Sequence, residues 1–144
     1  MKKQDQALEY FWNKFNCAQS VFTPFGKEHG LDEAAALKLS CAFGAGMGRQ
    51  QFTCGAVTGA LMAIGLKYGK AIGDPEEKKL ETYAKTREFF EAFKAIHGST
   101  SCRTLLNDLD LNDPGDHKKI EELGLFRKNC DCYVKDAVRL AEEL

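Results

Sequence analysis

The segment from Cys54 to about Tyr68 limits what this chain can fold into more than any other part of it. The segment consists of small and aliphatic residues on all sides, and a helix that is apolar all round is normally buried in the centre of a bundle. Gly55, Gly59 and Ala63 fall on one face of that helix, which allows a neighbouring helix to approach closely. We therefore predict a central helix that starts at Cys54.

Helical periodicity continues through most of the chain, and strand signals are nearly absent. Asn16 and Gln19 form a capping-box pattern that predicts a helix ending at Gly30, with Pro24 expected to kink or interrupt it. N-cap residue types predict further helix starts at Asp32, Asp74, Ser101 and Asp113. No linker divides the sequence, so we predict a single all-α domain over residues 1–144, a compact bundle of five to seven helices.

The charge pattern excludes several classes of partner. The 20 basic and 21 acidic residues are mixed along the chain and give a net charge of −1, which does not attract nucleic acid. The longest apolar stretch, Gly55 to Leu66, is shorter than the roughly 20 residues needed to cross a bilayer, so no membrane insertion is expected. The polar start, Met1 to Gln6, indicates no secretory signal, and we expect a cytoplasmic protein. Cysteines in that reducing compartment are catalytic, redox-sensing or metal-binding more often than structural cross-links.

Four of the six cysteines follow an N-cap residue type and precede a helical pattern; they are Cys17, Cys54, Cys102 and Cys130. A thiol in the first turn of a helix lies near unpaired N–H groups, which lower its pKa below the free value of about 8.5. The faces of the helices at Cys102 and Cys130 carry apolar residues, so these thiols point inward. We therefore expect the four thiols to converge on one pocket. The alternative is that each is a small buried hydrophobic residue.

The other two cysteines follow a different pattern. Cys41 lies late in a helix, on the same stripe as Ala34 and Leu37. Cys132 lies about 200° around the helix from Cys130, so it is expected to face outward.

The glycine-rich segment from Gly44 to Arg49 precedes the central helix. Its G-x-G-x-G spacing differs from a dinucleotide-binding fingerprint and follows no strand, so a tight turn against the Cys54 helix is the preferred interpretation. Arg49 is a candidate substrate-binding residue, because a guanidinium near Cys54 favours a thiolate or binds an anion. A solvated loop arginine is the alternative. The three histidines lie at or near helix ends and are expected to satisfy terminal carbonyls: His29, His97 and His117.

Taken together, these blocks resemble the redox-active protein family named for its motif, C_GCAxxG_C_C. The resemblance rests on Phe15–Ser20, Gly44–Arg49, Cys54–Ala60, Leu66–Gly69, Cys102 and Cys130–Val134. It implies that Cys17, Cys54, Cys102 and Cys130 are the four cysteines of the family, with Cys41 and Cys132 as extras. It also implies a redox role, and genes of the family often lie beside transporter genes. It supplies no substrate and no cofactor.

The preferred hypothesis is thiol–disulfide redox chemistry, with Cys54 as the attacking thiolate and Cys17 as its resolving partner. Cys102 and Cys130 are the second pair. No C-x-x-C motif is present, so a thioredoxin-like dithiol is not indicated. One alternative is an electron-transfer or sensing module that binds an iron–sulfur cluster or zinc through the same four cysteines. Another is a non-catalytic accessory protein that docks on a membrane transporter. The redox partner is unknown.

Overall fold

The computed structural model describes residues 1–144, and its regular elements are helices. They are α1 (Lys3–Trp12), α2 (Cys17–Glu28), α3 (Glu33–Cys41), α4 (Gly44–Met47), α5 (Gly55–Tyr68), α6 (Glu76–His97), α7 (Cys102–Leu105), α8 (Pro114–Leu123) and α9 (Asp131–Glu143). A π-helical segment, Phe126–Cys130, leads into α9. Two of the helices, α4 and α7, have four residues each. The other seven match the predicted all-α bundle.

The central helix is α5, as predicted. Its first six residues, 55–60, are all buried, and the helix contacts α2, α6 and α9. A Cβ atom placed on Gly59 would lie 2.8 Å from the carbonyl oxygen of Ala18 and 3.1 Å from Cβ of Val21. The backbones of α2 and α5 therefore approach to a distance that only glycine allows, which confirms the small-residue face.

Most of the predicted helix starts are found, with differences in detail. Both hydrogen bonds of the capping box between Asn16 and Gln19 are present. The helix that they open continues through Pro24 and ends at Glu28, two residues before the predicted end. Asp74 does not cap α6: its carboxylate accepts a hydrogen bond from the N–H of Ala71, and Pro75 is the N-cap. Asp32 and Asp113 cap α3 and α8 through their side chains.

Two hydrophobic clusters meet at the cysteines. The larger cluster joins α1, α2, α5, α6 and α9 and includes Cys54, with Cys17 packed against it. The smaller one includes Cys102 and the apolar residues of the segment between α7 and α9. Cys130 packs against both clusters. The four cysteines thus lie along the junction of the two parts of the core. None of the helices has the length and apolar character needed to cross a membrane.

Candidate functional site

A single antiparallel bridge between Thr53 and Ser101 joins the segments that lead into Cys54 and Cys102. The N–H of Cys54 donates to the carbonyl of Thr100 at 2.7 Å, and the N–H of Cys102 donates to the carbonyl of Phe52, also at 2.7 Å. In this pattern Cys54 and Cys102 are diagonal neighbours on the same face of the bridge, with Cα atoms roughly 7–8 Å apart. The two residues come from positions 48 apart in the sequence, so only tertiary folding joins them.

Cys17 lies against the start of α5. It is the first residue of α2, and a Cβ atom placed on Gly55 would lie 2.5 Å from its Sγ. The same Cβ would lie 3.1 Å from the N–H nitrogen of Ala18. The absence of a side chain at Gly55 therefore leaves the space that the Cys17 thiol occupies, immediately beside Cys54.

The expectation of one thiol in the first turn of each helix holds for two of the four cysteines. Cys17 and Cys102 are first residues of helices, although α7 is only one turn long. Cys54 is the N-cap of α5, and its side chain makes no capping hydrogen bond. The expectation is wrong for Cys130, whose φ of −66° and ψ of −33° are helical because the π-helical segment runs directly into α9. Cys130 therefore has no free helix N-terminus beside it.

The four thiols are close enough to influence one another electrostatically. A negative charge on Cys17 raises the pKa of each of the other three, Cys54, Cys102 and Cys130. A negative charge on Cys130 also raises the pKa of Cys54, and a negative charge on Cys102 raises the pKa of Cys130. All six cysteines of the chain are free thiols. The structure thus brings the four predicted cysteines into one neighbourhood, which we call the four-thiol cluster.

Burial reverses the expected direction of the thiol pKa shifts. It is the largest cause of the raised pKa of Cys54, Cys102 and Cys130, and for Cys102 the pKa rises to about 12. At Cys54 the N–H groups of Ala56 and Val57 act in the opposite direction and lower the pKa, as a helix N-terminus should. Burial outweighs them, because an apolar surrounding disfavours the thiolate more than two backbone dipoles stabilise it. The predicted lowering of the Cys54 pKa is therefore wrong.

Arg49 does not contribute to this electrostatic balance. Arg49 is exposed, and its charge is not among the main influences on the pKa of Cys54. The carbonyl of Arg49 accepts a hydrogen bond from the side-chain amide of Asn112 at 2.9 Å. The arginine is thus a surface residue of its turn, and its role in substrate binding stays a prediction.

The glycine-rich segment forms a turn in contact with α5, as predicted, with an unusual backbone. All residues from 45 to 49 have positive φ, so the chain makes a left-handed turn. A Cβ atom on Gly46 would lie 2.4 Å from Cα of Gln51, so the turn closes tightly on that residue. The buried Gln51 side chain donates to the carbonyl of Leu109 at 2.8 Å and accepts from the N–H of Leu111 at 2.9 Å. The turn therefore anchors the segment that follows Cys102.

Tyr133 is a residue of this region to which sequence reasoning gave no role. Its hydroxyl donates to the carbonyl of Leu105 at 3.1 Å. Burial, together with negative charges on Cys130 and Cys54, raises the pKa of Tyr133 to about 12. Because Tyr133 follows Cys130 by three residues, the helical period places both on one face of the chain. That spacing was the available signal.

The histidines differ from one another. His29 lies at the end of α2, with Nδ1 3.0 Å from the carbonyl of Phe25, as expected. The expectation is wrong for His97, whose Nε2 lies 2.9 Å from a carboxylate oxygen of Asp136 on α9. The third, His117, contacts the carbonyl of Leu111 in the loop before its own helix and not a terminal carbonyl.

The remaining two thiols point away from the cluster. Cys41 is the last residue of α3 and is exposed. Cys132 is exposed as well, and its thiol donates to the carbonyl of Lys128 at 3.3 Å. Since Cys130 is half-buried, the predicted outward orientation of Cys132 relative to Cys130 is confirmed.

The donor set for a metal ion or cluster is present in kind, because thiolates bind zinc and iron–sulfur clusters. Its arrangement does not fit such a group: nowhere do three or more His, Cys, Asp or Glu side chains lie as a metal ion would require.

Comparison with known proteins gives a family and no solved relative. A curated protein of Archaeoglobus fulgidus, described as "Uncharacterized protein", is 26% identical over 129 residues, which cover 85% of each chain. No solved structure matches the sequence. The model of the family described as "Putative redox-active protein (C_GCAxxG_C_C)" matches residues 15–144, a range that contains all four clustered thiols. The chain belongs to the C_GCAxxG_C_C family.

Proposed function

We propose that this protein carries out two-electron thiol–disulfide exchange, with Cys17 as the thiolate that meets the substrate and Cys54 as the resolving thiol. The observation that carries the proposal is the position of the Cys17 sulfur against Gly55, next to Cys54. These roles are the reverse of those expected from the sequence, because burial raises the pKa of Cys54.

Access and charge both favour Cys17 as the first nucleophile. Cys17 is half-buried, whereas Cys54 and Cys102 are 6% and 8% exposed. Cys17 is also the first residue of α2, beside the unpaired N–H groups of its first turn. Cys130 is half-buried too, but burial raises its pKa and no helix N-terminus lies beside it. Of the four thiols, Cys17 therefore combines access with a position at the N-terminus of a long helix.

The coupling between the thiols supplies an order of events. While Cys17 is a thiolate, burial and, second to it, the charge on Cys17 raise the pKa of Cys54 and keep that thiol protonated. Attack on a disulfide R–S–S–R′ forms the Cys17–S–S–R bond and releases R′–S⁻, which removes this charge. The pKa of Cys54 then loses the part of its rise that this charge caused, and Cys54 gives up its proton as its sulfur attacks Sγ of Cys17. The Cys17–Cys54 disulfide forms, R–S⁻ leaves, and the two thiol protons pass to the released thiolates.

Cys102 and Cys130 are suited to a second exchange step. Cys130 packs against both hydrophobic clusters, and a charge on Cys102 raises its pKa, so Cys130 lies near Cys102 as well as near the first pair. Removal of the charge on Cys17 lowers the pKa of both, by the same argument as for Cys54. We also propose that Cys102 and Cys130 undergo thiol–disulfide exchange with the Cys17–Cys54 disulfide.

The test is trapping of the mixed disulfide with bis(2-hydroxyethyl) disulfide, a small neutral probe. In Cys54→Ser, the resolving step is blocked, and one hydroxyethylthio adduct should accumulate on Cys17. Cys17→Ser should form no adduct within the cluster, and Cys41→Ser is the matched control because that thiol is exposed and outside the cluster. Peptide mass mapping of each variant identifies the modified sulfur and any Cys17–Cys54 disulfide in the wild type.

Three outcomes would contradict the proposal. If Cys54 of Cys17→Ser acquires the adduct as fast as the wild-type protein reacts with the probe, Cys17 is not the first nucleophile. Stoichiometric iron or zinc in anaerobically purified protein, with visible absorbance for a cluster, would replace thiol exchange by the metal-binding alternative. Copurification with a membrane transporter, with no thiol exchange, would favour an accessory role.

A further inference from the structure

An open cleft of about 340 Å³ lies against the segments that lead into Cys17 and Cys130. Its walls come from the end of α1, the loop between α1 and α2, and the π-helical segment. The lining residues are Phe11, Trp12, Lys14, Phe15, Asn16, Phe126 and Arg127. Four of the seven are large aromatic residues. Trp12, the single tryptophan of the chain, is 48% exposed.

Both walls of the cleft lead directly to a thiol. Asn16 is the residue before Cys17, and Phe126 begins the segment that ends at Cys130. Cys17 and Cys130 are also the two half-buried members of the four-thiol cluster. Phe126 packs against the smaller hydrophobic cluster, which contains Cys102. A molecule in the cleft would therefore contact the residue that precedes Cys17 and the segment that ends at Cys130.

The rim of the cleft is positively charged. Neither Lys14 nor Arg127 forms an ion pair with a carboxylate within 4.0 Å. The guanidinium of Arg127 lies over the Trp12 ring, 4.8 Å from its centroid. The neighbouring acid is Asp131, one of whose oxygens accepts a hydrogen bond from the indole N–H of Trp12 at 3.1 Å. Two unpaired cations against one carboxylate favour an anionic group at this rim.

We propose that the cleft binds a low-molecular-weight disulfide that carries carboxylate groups and presents its S–S bond to Cys17. This inference rests on the proposed thiol–disulfide exchange and names the substrate class for it. The aromatic walls take the apolar part of the molecule, and Lys14 and Arg127 take its carboxylates. The volume lies at the lower end of the 300–1,000 Å³ typical of small-molecule sites. The bound disulfide accepts two electrons from Cys17 and Cys54 and leaves as two thiols.

The experiment compares three disulfides of different charge under anaerobic conditions at low salt. The probes are oxidised glutathione, which is anionic, bis(2-hydroxyethyl) disulfide, which is neutral, and cystamine, which is cationic. Each rate of protein thiol loss is divided by the rate of the same probe with N-acetylcysteine amide, a thiol without a carboxylate, which removes intrinsic reactivity. We expect the normalised rate with oxidised glutathione to exceed that with the neutral probe roughly tenfold, and cystamine to be slowest.

A pair of double variants assigns the preference to the cleft. In Lys14→Gln/Arg127→Gln the ratio of the anionic to the neutral rate should fall to near one. Lys78→Gln/Arg87→Gln, which removes the same charge from exposed positions on α6, should keep the wild-type ratio. Trp12 gives a readout that needs no chemistry: oxidised glutathione should quench its fluorescence saturably in Cys17→Ser, and this quenching should weaken in Cys17→Ser/Lys14→Gln/Arg127→Gln.

The outcomes separate this inference from the function on which it rests. Exchange at equal normalised rates for all three probes would overturn the anionic substrate and leave thiol exchange intact. No exchange with any probe would contradict the proposed function itself, while saturable Trp12 quenching would still support an anion-binding cleft. Rapid reaction with an unfolded protein disulfide but not with oxidised glutathione would overturn the small-molecule assignment in favour of a protein substrate.

Discussion

Alanine at Gly59 tests the close approach of α2 and α5, on which the position of Cys17 depends. The new Cβ would lie 2.8 Å from the carbonyl oxygen of Ala18, a distance that real Cβ contacts essentially never show. The opposing atom belongs to the backbone of a helix, so no flexible side chain can move aside. The two helices must separate, or α2 must shift along α5.

The change in the free energy of unfolding for Gly59→Ala follows from two opposing effects. Overpacking a filled core costs about 1–3 kcal/mol, and a rigid backbone partner places Gly59→Ala at the upper end of this range. Replacing a glycine inside a helix by alanine returns about 1 kcal/mol of helix propensity. The net loss in the free energy of unfolding should be about 2 kcal/mol. At about 4 °C per kcal/mol for a chain near 150 residues, Tm should fall by roughly 8 °C.

Gly65 is the matched control on the same helix. A Cβ atom there meets no heavy atom within 4 Å, so only the propensity effect remains. Gly65→Ala should therefore stabilise the protein by about 0.5–1 kcal/mol. Urea and thermal unfolding of both variants, followed by circular dichroism under reducing conditions, measure the difference. Equal stabilities for the two variants, or a more stable Gly59→Ala, would refute the argument that these backbones touch.

Two further predictions concern the thiols. In native, reduced, metal-free protein an alkylating reagent should label Cys132 faster than Cys130, because Cys132 is exposed and burial raises the pKa of half-buried Cys130. Peptide mass spectrometry follows the two rates, and faster labelling of Cys130 would reverse the face assignment. Stability should fall as the pH rises from about 9 to about 12, because the unfolded chain then releases the proton of Cys102 while the folded state, with a pKa of about 12, retains it. Tyr133 adds to this loss above about pH 10, and constant stability in urea unfolding across that window would contradict the buried location of both groups.

Local signals in the sequence were sufficient for the helices. The capping box at Asn16 and the carboxylates at Asp32 and Asp113 act on the backbone within three residues, so their effect does not depend on the fold. The α5 pattern predicted its own central position because a helix without a polar face has no stable place at a surface. Asp74 failed as a cap because a competing local bond to Ala71 was equally close in sequence.

The state of the thiols was beyond local signals. The N-cap residue before each of the four cysteines predicted a helix N-terminus and a lowered thiol pKa. The pKa of a thiol, however, depends on all the groups that surround it. Burial came from the two clusters that close over Cys54 and Cys102, and the continuous backbone at Cys130 came from a π-helical segment with no distinct sequence signature. Neither effect can be calculated from a window of a few residues.

The sequence by itself determined the all-α class, the central α5 and which of Cys130 and Cys132 faces inward, since each depends on periodicity along one helix. Only the tertiary structure decided which thiol is accessible and which are held protonated. The bridge between Thr53 and Ser101 and the missing side chain at Gly55 join segments far apart in the chain. Contacts of this kind arise when elements pack, so the arrangement and burial of the four thiols follow from the packing and not from the motif around any one cysteine.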